Sequence, residues 1–145
     1  MTDITLALQA FLKAVPLSID GVPVTVFVDE ANQKTRVDHV LVVDAEDLFE
    51  GTLDQPGEPV LEQLVTTRID LECKTAGPVA ASRIADACMA VVHDFRGAMG
   101  DRFVEAADVN RAYRATETPR GGNAHGQVVR VVEITIQHRA VEAIS

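Results

Sequence analysis

Two cysteines and four histidines are the side chains best suited to nucleophilic or metal chemistry. The histidines are dispersed and no pair has metal-site spacing: His39, His93, His125 and His138. Cys73 falls in a strand pattern and Cys88 in a helix pattern, which favours buried free thiols. A nucleophilic Cys73 would need His39 or His93 beside it. A cleft that unites these three would favour a small α+β enzyme.

An acidic cluster is the second candidate for chemistry. Its carboxylates are those of Asp44, Glu46, Asp47 and Glu50. Hard divalent cations bind several carboxylates at close range, but this spacing matches no EF-hand loop. The cluster is therefore read as a solvated acidic surface, and we expect no metal ion here.

The stretch "TETPRGGNAHGQ", residues 116–127, holds three glycines but no large apolar residue. A strand pattern follows it where a phosphate-binding loop would have a helix, so phosphate binding is not favoured. The chain also lacks the nucleotide-binding, zinc-protease and serine-hydrolase motifs GxxxxGK[ST], GxGxxG, HExxH and GxSxG. We predict no cofactor and no enzymatic activity.

Charge is unevenly distributed along the 145 residues, whose formal net charge is −9. Residues 29–62 hold ten acids against Lys34 and Arg36, whereas residues 101–145 hold six acids and six arginines. A basic nucleic-acid footprint is absent. An acidic surface repels phosphate and suits a conduit past which DNA must slide without binding.

Hydrophobic periodicity predicts the elements that carry these residues. Ile4, Leu8, Phe11, Leu12 and Val15 have helical spacing before Pro16. "VPVTVFVDE" and "HVLVVDA" read as two strands, and "EDLFEGTLDQPGEPVLE" as a long irregular acidic connection.

The second half begins with the alternating strand "VTTRIDLECKT", one face apolar and the other wet or shared. Pro78 opens a helix that is predicted to end near Gly97 or Gly100. Two strands close the chain, and the last is apolar on both faces, which predicts a central position.

The predicted helices and strands do not alternate as repeated βαβ units, so we predict one α+β domain spanning residues 1–145. Its antiparallel or mixed sheet has about four to five strands, with two main helices on one face. The sequence shows no membrane span and no signal peptide, so we expect a soluble protein.

The order of elements, including "GPVAASRIADACMAVVHDF" and the hairpin ending "RVVEITIQHR", resembles the tail terminator, or tail completion, proteins of long-tailed bacteriophages and phage-like particles. The resemblance covers nearly the whole chain and has no chemical signature. It implies a structural protein without catalysis that forms a ring, usually a hexamer, at the head-proximal end of the tail tube. The ring stops tube polymerisation and meets the head–tail connector, while DNA passes through without specific binding.

The same resemblance implies a virion protein of the tail or neck, made in the cytoplasm of a bacterial host. Separated acidic and arginine-bearing regions suit head-to-tail contacts, which close into rings. We expect Asp44, Glu46, Asp47 and Glu50 to line the lumen or an acidic surface. The expected interface with a neighbouring subunit or the tube comprises Arg111, Arg114, Arg120, Gly121, Gly122, Asn123, His125 and Arg130.

Three alternatives remain open at the level of sequence. The chain could be another neck, connector or minor tail protein of a phage. It could be the small enzyme with a pocket described above. It could also be a host protein that binds a small acidic or peptide partner through its arginine-bearing last hairpin.

Overall fold

The computed structural model describes residues 4–15, 17–19, 22–28, 38–50, 64–115 and 127–140, with residues 19, 22–23, 44–50 and 140 described by their backbone alone. These residues form two helices and eight strands. The helices are α1 (Ile4–Ala14) and α2 (Pro78–Val92). The strands are β1 (Ser18–Ile19), β2 (Val22–Pro23), β3 (Thr25–Val28), β4 (His39–Glu50), β5 (Leu64–Thr75), β6 (Gly97–Met99), β7 (Arg102–Arg114) and β8 (Val128–Ala140).

Six of the strands form one mixed sheet in the order β3-β4-β5-β8-β7-β6, and β1 pairs with β2 in a separate ribbon. β3 is parallel to β4, and every other neighbouring pair in the sheet is antiparallel. β5 and β8 occupy the middle, as the apolar residues on both faces of β8 predicted. The prediction of an α+β fold is confirmed.

Both helices pack on one face of this sheet, and their apolar stripes form a single core with it. α2 contributes Ile84, Ala85 and Cys88, which lie in the same buried cluster as Leu71 and Ile134 of the central strands. Leu8 and Leu12 of α1 are fully buried in that cluster too. Burying such side chains stabilises the fold by about 1.5–3 kcal/mol each.

The sheet bends around α1. This helix contacts β3 and β4 at one side of the sheet and β6 at the opposite edge, which a flat six-stranded sheet would hold far apart. At the centre, α2 contacts β5, β8 and β7. The ring of Phe11 on α1 lies 4.7 Å from that of Phe95, which follows α2.

Two details of the prediction are wrong at the end of α2. The sheet has six strands instead of four to five, because residues 97–99 form the edge strand β6. The helix ends at Val92, because Asp94 adopts a left-handed backbone with φ of 61° and its N–H donates to Ala107 O at 2.9 Å. Asp tolerates this conformation better than most residues, so no glycine is needed to end the helix.

The start of the acidic connection is also corrected. Residues 46–50 were predicted to be irregular but continue β4, pairing antiparallel with β5 up to Glu50 opposite Leu64. A register shift between Asp44 and Glu46 marks a bulge in this pairing. The hydrogen bonds of the long central strand outweigh the low strand propensity of the acids, since propensity is a weak guide beside pairing.

Candidate assembly surface

The acidic cluster lies on a partly open sheet edge. β3 pairs only with residues 39–42 of β4. Beyond that point, no strand of the described residues pairs with residues 43–50 on the side away from β5. An unpaired edge presents N–H and C=O groups that can accept another strand. The acidic edge, residues 43–50, is therefore a candidate site for strand addition.

β3 itself is covered, in contrast to the acidic edge. Gln9 of α1 donates from Nε2 to the carbonyl oxygen of Val26 at 2.9 Å, so a helix side chain occupies an outward-facing acceptor of this short strand. Covering an edge with a helix is a common protection against unwanted strand pairing.

The other side of the sheet has a second open stretch. β6 pairs only with residues 102–104 of β7, and the Asp94 N–H takes the Ala107 carbonyl. Residues 108–114 have no strand partner on that side within the described part of the chain. This arginine edge, residues 108–114, carries Arg111 and Arg114, both of which are exposed.

Like charges face each other at the end of the arginine edge. Arg114 lies directly opposite Arg130 of β8. Directly opposed like charges destabilise a strand pair, and neither guanidinium has an acidic partner among the described residues. Arg111 differs, because its Nη2 lies 3.5 Å from Glu133 Oε1 and its guanidinium lies 4.6 Å from the ring centre of Tyr113. Arg114 and Arg130 therefore provide positive charge that an acidic partner can neutralise.

Two other arginines of this part of the sheet, Arg96 and Arg139, already have an acidic partner within the subunit. Arg139 Nε donates to Glu105 Oε1 at 2.8 Å, and Arg96 Nη2 donates to Glu105 Oε2 at 3.3 Å. The hydrogen bond from Arg139, followed by the charges of both arginines, lowers the pKa of Glu105. Both guanidiniums also lie over the ring of Phe103. These contacts are internal to the subunit.

The three residues of the enzyme alternative do not come together. His39 is buried and opposite Lys74 on the face away from the helices. Cys73 lies on the helix face, where it belongs to the core. His93 is exposed at the end of α2. No cleft formed by these residues can therefore join a nucleophile to a base.

Both thiols are free and buried, as the sequence predicted. Cys73 of β5 meets Cys88 of α2 in the core. The hydrogen bond between the two thiols, together with burial, raises the pKa of Cys73 well above its usual value. A thiol with a raised pKa forms little thiolate and reacts slowly, which is consistent with a packing role.

The sequence missed one group of potential metal ligands. His93, Asp94 and Asp108 each place one ligand atom within 4.8 Å of the others. The Asp94 bond to Ala107 brings the end of α2 against β7, a contact that sequence spacing does not reveal. All three side chains are exposed. Water would supply at least half of an octahedral shell around such an ion, so we assign no metal site.

On β5 the sheet face away from the helices is mostly buried, so of the two expectations for that face, wet or shared, the wet one does not hold on this strand. Asp70, Glu72 and Lys74 of β5 are buried there, while Arg68 is exposed. Lys74 Nζ lies 3.5 Å from Glu72 Oε1, with side chains 3% and 2% exposed. Burial lowers the pKa of Lys74, and the nearby Glu72 carboxylate opposes part of that change.

A buried hydrogen-bond chain ties three strands together at one end of the helix face. Arg102 Nε donates to His138 Nδ1 at 2.9 Å, and His138 Nε2 lies 2.7 Å from Thr67 Oγ1. Because the Arg102 N–H can only donate, Nδ1 must be an unprotonated acceptor. His138 is therefore neutral with its proton on Nε2, and Nε2 donates to Thr67.

Several predicted site residues cannot be placed. Arg120, Gly121, Gly122, Asn123 and His125 lie outside the described residues. The backbone of Asp44, Glu46, Asp47 and Glu50 is described, but their side chains are not. Of the predicted interface residues, Arg111, Arg114 and Arg130 lie on the adjacent strands β7 and β8, with Arg114 directly opposite Arg130.

Comparison with known proteins gives no match to any family model and none to curated proteins. Over the described ranges, neither helix has the length and hydrophobicity needed to span a membrane.

Proposed function

We propose that this chain is a structural subunit of a bacteriophage tail, and that it forms a ring that ends the tube at its head-proximal side. The observation that carries the proposal is the unlike charge of two strand stretches that have no further strand partner among the described residues. Residues 43–50 are rich in acids, and residues 108–114 include Arg114, which has no acidic partner within the described part of the chain. Such a pair favours contacts between copies of the chain.

The charges of the two edges favour one kind of assembly. A two-fold contact centred on one edge would place that edge against itself, acid against acid or arginine against arginine. A head-to-tail contact instead joins the acidic edge to the arginine edge, and repetition of that contact closes into a ring when the rotation permits. Six subunits are the number that the resemblance to tail terminators implies.

The remaining parts of the proposal follow from the charge and from that resemblance. The tail tube protein and the head–tail connector are the expected partners on the two sides of the ring. A net charge of −9 keeps the DNA passage free of phosphate contacts. The subunit has a structural role and no catalytic one, and it resides in the virion at the neck.

A mass measurement with a tube-assembly assay tests this proposal. We expect the purified chain to run as a ring of several subunits, or to become one when the tail tube protein is added. Added to polymerising tube protein, it should cap the tubes and shorten their mean length. A chain that stays monomeric in both cases, with tube lengths unchanged, would contradict the proposal. Binding of an acidic peptide by such a monomer would instead support the host-protein alternative.

Deletion of residues 120–126 is a second test. The loop holds no large apolar residue, so its loss should change the free energy of unfolding by less than about 0.5 kcal/mol. We expect the same deletion to prevent docking to the tube or to a neighbouring subunit. Urea unfolding measures the first effect and tube capping the second. Normal capping by the deleted form would show that the loop has no role in assembly.

A further inference from the structure

We infer that Arg114 and Arg130 form a binding site for one tetrahedral dianion, the chemical class of inorganic phosphate, sulfate and terminal phosphate groups. The site lies on the helix face of the sheet, where β7 ends and β8 begins. The inference goes beyond the proposed function, because it concerns a small ligand of the single subunit and holds with or without a ring.

Strand register places the two arginine side chains next to each other. Arg114 of β7 is directly opposite Arg130 of β8. The next pair along the two strands is joined by a hydrogen bond from Ala115 N to Val129 O at 3.0 Å. Hydrogen-bonded and non-hydrogen-bonded pairs alternate along an antiparallel ladder, so Arg114 and Arg130 form a non-hydrogen-bonded pair. The Cα atoms of such a pair are only about 4.5 Å apart, and its side chains are the closest in the ladder.

Both side chains leave the sheet on the face that carries the helices. Val132 of β8 belongs to the core beneath the helices, and Ala112 of β7 packs against that core. Side chains two residues apart in a strand lie on the same face, so Arg130 shares the face of Val132 and Arg114 that of Ala112. Arg114 is exposed and Arg130 is half-buried, so an ion from the solvent can reach the pair.

The two arginines differ from their neighbour on β7 in having no internal acceptor. Arg111 lies three residues earlier, and its Nη2 is 3.5 Å from Glu133 Oε1. Within the described part of the chain, neither Arg114 nor Arg130 has an acidic partner. Directly opposed like charges destabilise a strand pair. A dianion held between the two guanidiniums would replace this repulsion with two charge-assisted contacts.

The start of α2 adds to the positive potential at this end of the sheet. The helix begins at Pro78, three residues after Thr75 ends β5, and Cys73 of β5 is opposite Arg130. The N-terminal end of a helix carries a partial positive charge, which disfavours a cation and favours an anion nearby. The arginine pair therefore lies where a bound anion gives the greatest relief.

The shape and charge of the two guanidiniums select the ligand. Each is a planar fork of N–H donors that matches two oxygens of a carboxylate or phosphate group. Two forks together match the oxygens of one tetrahedral ion, and two negative charges neutralise both cations. A monoanion leaves one positive charge uncompensated. The phosphates of DNA are diesters with a single charge each, so this site is consistent with free passage of DNA.

Thermal unfolding at constant ionic strength tests the site, at a mildly alkaline pH where inorganic phosphate is mostly the dianion. We expect phosphate or sulfate, exchanged for chloride, to raise the Tm of the wild type more than that of Arg114→Gln/Arg130→Gln, because only the wild type binds the ion. Both ions also stabilise proteins in general, and the double variant measures that background. Arg111→Gln is the matched control on the same strand and should keep the wild-type response.

The repulsion between the two arginines gives a second readout, which changes sign. In chloride alone, Arg114→Gln removes the repulsion and should melt at or above the wild type. In phosphate this order should reverse. Calorimetric titration of the wild type should give one phosphate ion per chain, and Arg114→Gln or Arg130→Gln alone should weaken that binding by at least about tenfold.

The choice of anion identifies the ligand class and its source. Dimethyl phosphate is tetrahedral but carries one charge, and a response equal to that of inorganic phosphate would overturn the assignment to a dianion. Tighter binding of phenyl phosphate than of inorganic phosphate would assign the site to a phosphate group of a larger ligand, and the opposite order to the free ion. A wild type that responds to phosphate and sulfate no more than the double variant would overturn the site itself.

Discussion

Replacing His138 with phenylalanine is expected to lower the free energy of unfolding by about 2–4 kcal/mol. The ring of phenylalanine fills most of the same volume but has no polar atom. Arg102 and Thr67 each lose the hydrogen bond that they make with the imidazole. Arg102 as a whole residue is only 9% exposed, so water cannot readily replace the lost acceptor of its guanidinium. Removing a bond to a buried charged group costs more than removing a neutral one.

Urea unfolding followed by far-UV circular dichroism measures this effect. Thr67→Val removes only the hydrogen bond between His138 and the neutral hydroxyl of Thr67. It should lower the free energy of unfolding by about 1 kcal/mol. His93→Phe is the matched control, because His93 is exposed and its replacement should change stability by less than about 0.5 kcal/mol. Equal stability of the His138 and His93 variants would show that the buried hydrogen-bond chain contributes nothing to the free energy of unfolding.

The elements that follow from local pattern were predicted well from the sequence. Alternation in "VTTRIDLECKT" identified β5, and apolar residues on both faces of β8 identified a central strand. Helical spacing identified α1 and α2. In each case the pattern reflects burial against a neighbour, which is the same force that fixes the element.

The elements that depend on a distant partner were not predictable. Residues 46–50 look irregular because acids and a nearby bulge obscure any alternation, and pairing with β5 makes them a strand. β6 is three residues long and exists because β7 folds back on it. The left-handed Asp94 ends α2 without a glycine, and its bond to β7 cannot be read from spacing.

The candidate surface divides in the same way. The charge separation was visible in the sequence, and it drew attention to Arg111, Arg114 and Arg130. That Arg111 and Arg114 lie on a stretch of β7 with no second strand partner among the described residues depends on the order of strands in the sheet, which no single segment encodes. The opposition of Arg114 to Arg130 likewise depends on register. Charge along the sequence therefore indicated which residues to consider, and only the strand order shows where they lie in the sheet.

Replacing Lys74 with methionine is expected to destabilise the protein by about 3–5 kcal/mol at neutral pH. The change keeps the length and apolar stem of the side chain but removes the ammonium 3.5 Å from the buried Glu72 carboxylate. Glu72 then remains as a buried charge without that cation. Glu72→Met/Lys74→Met removes both charges, and we expect its stability to lie within about 1 kcal/mol of the wild type, because apolar replacements of buried ion pairs are often neutral.

The pH dependence distinguishes loss of this charge from general loss of packing. Burial lowers the pKa of Lys74 in the folded state, while the unfolded chain keeps the ordinary value of 10.5. Between these two values the unfolded state binds more protons, so stability gains a contribution that rises with pH through this window. Below the lowered pKa both states are protonated and the contribution is constant.

The measurement is urea unfolding of the wild type, both single variants and the double variant at several pH values from 7 to about 10.5. The difference in free energy of unfolding between the wild type and Lys74→Met should grow as pH rises through the window, because only the wild type gains from early deprotonation of the lysine. The double variant should lack this rise as well. Glu72→Met should begin the rise at a lower pH, since the carboxylate that partly supports the charged lysine is gone. A wild type that shows the same alkaline profile as Lys74→Met would mean that Lys74 titrates as an ordinary solvated lysine, and that the pair is not buried in solution.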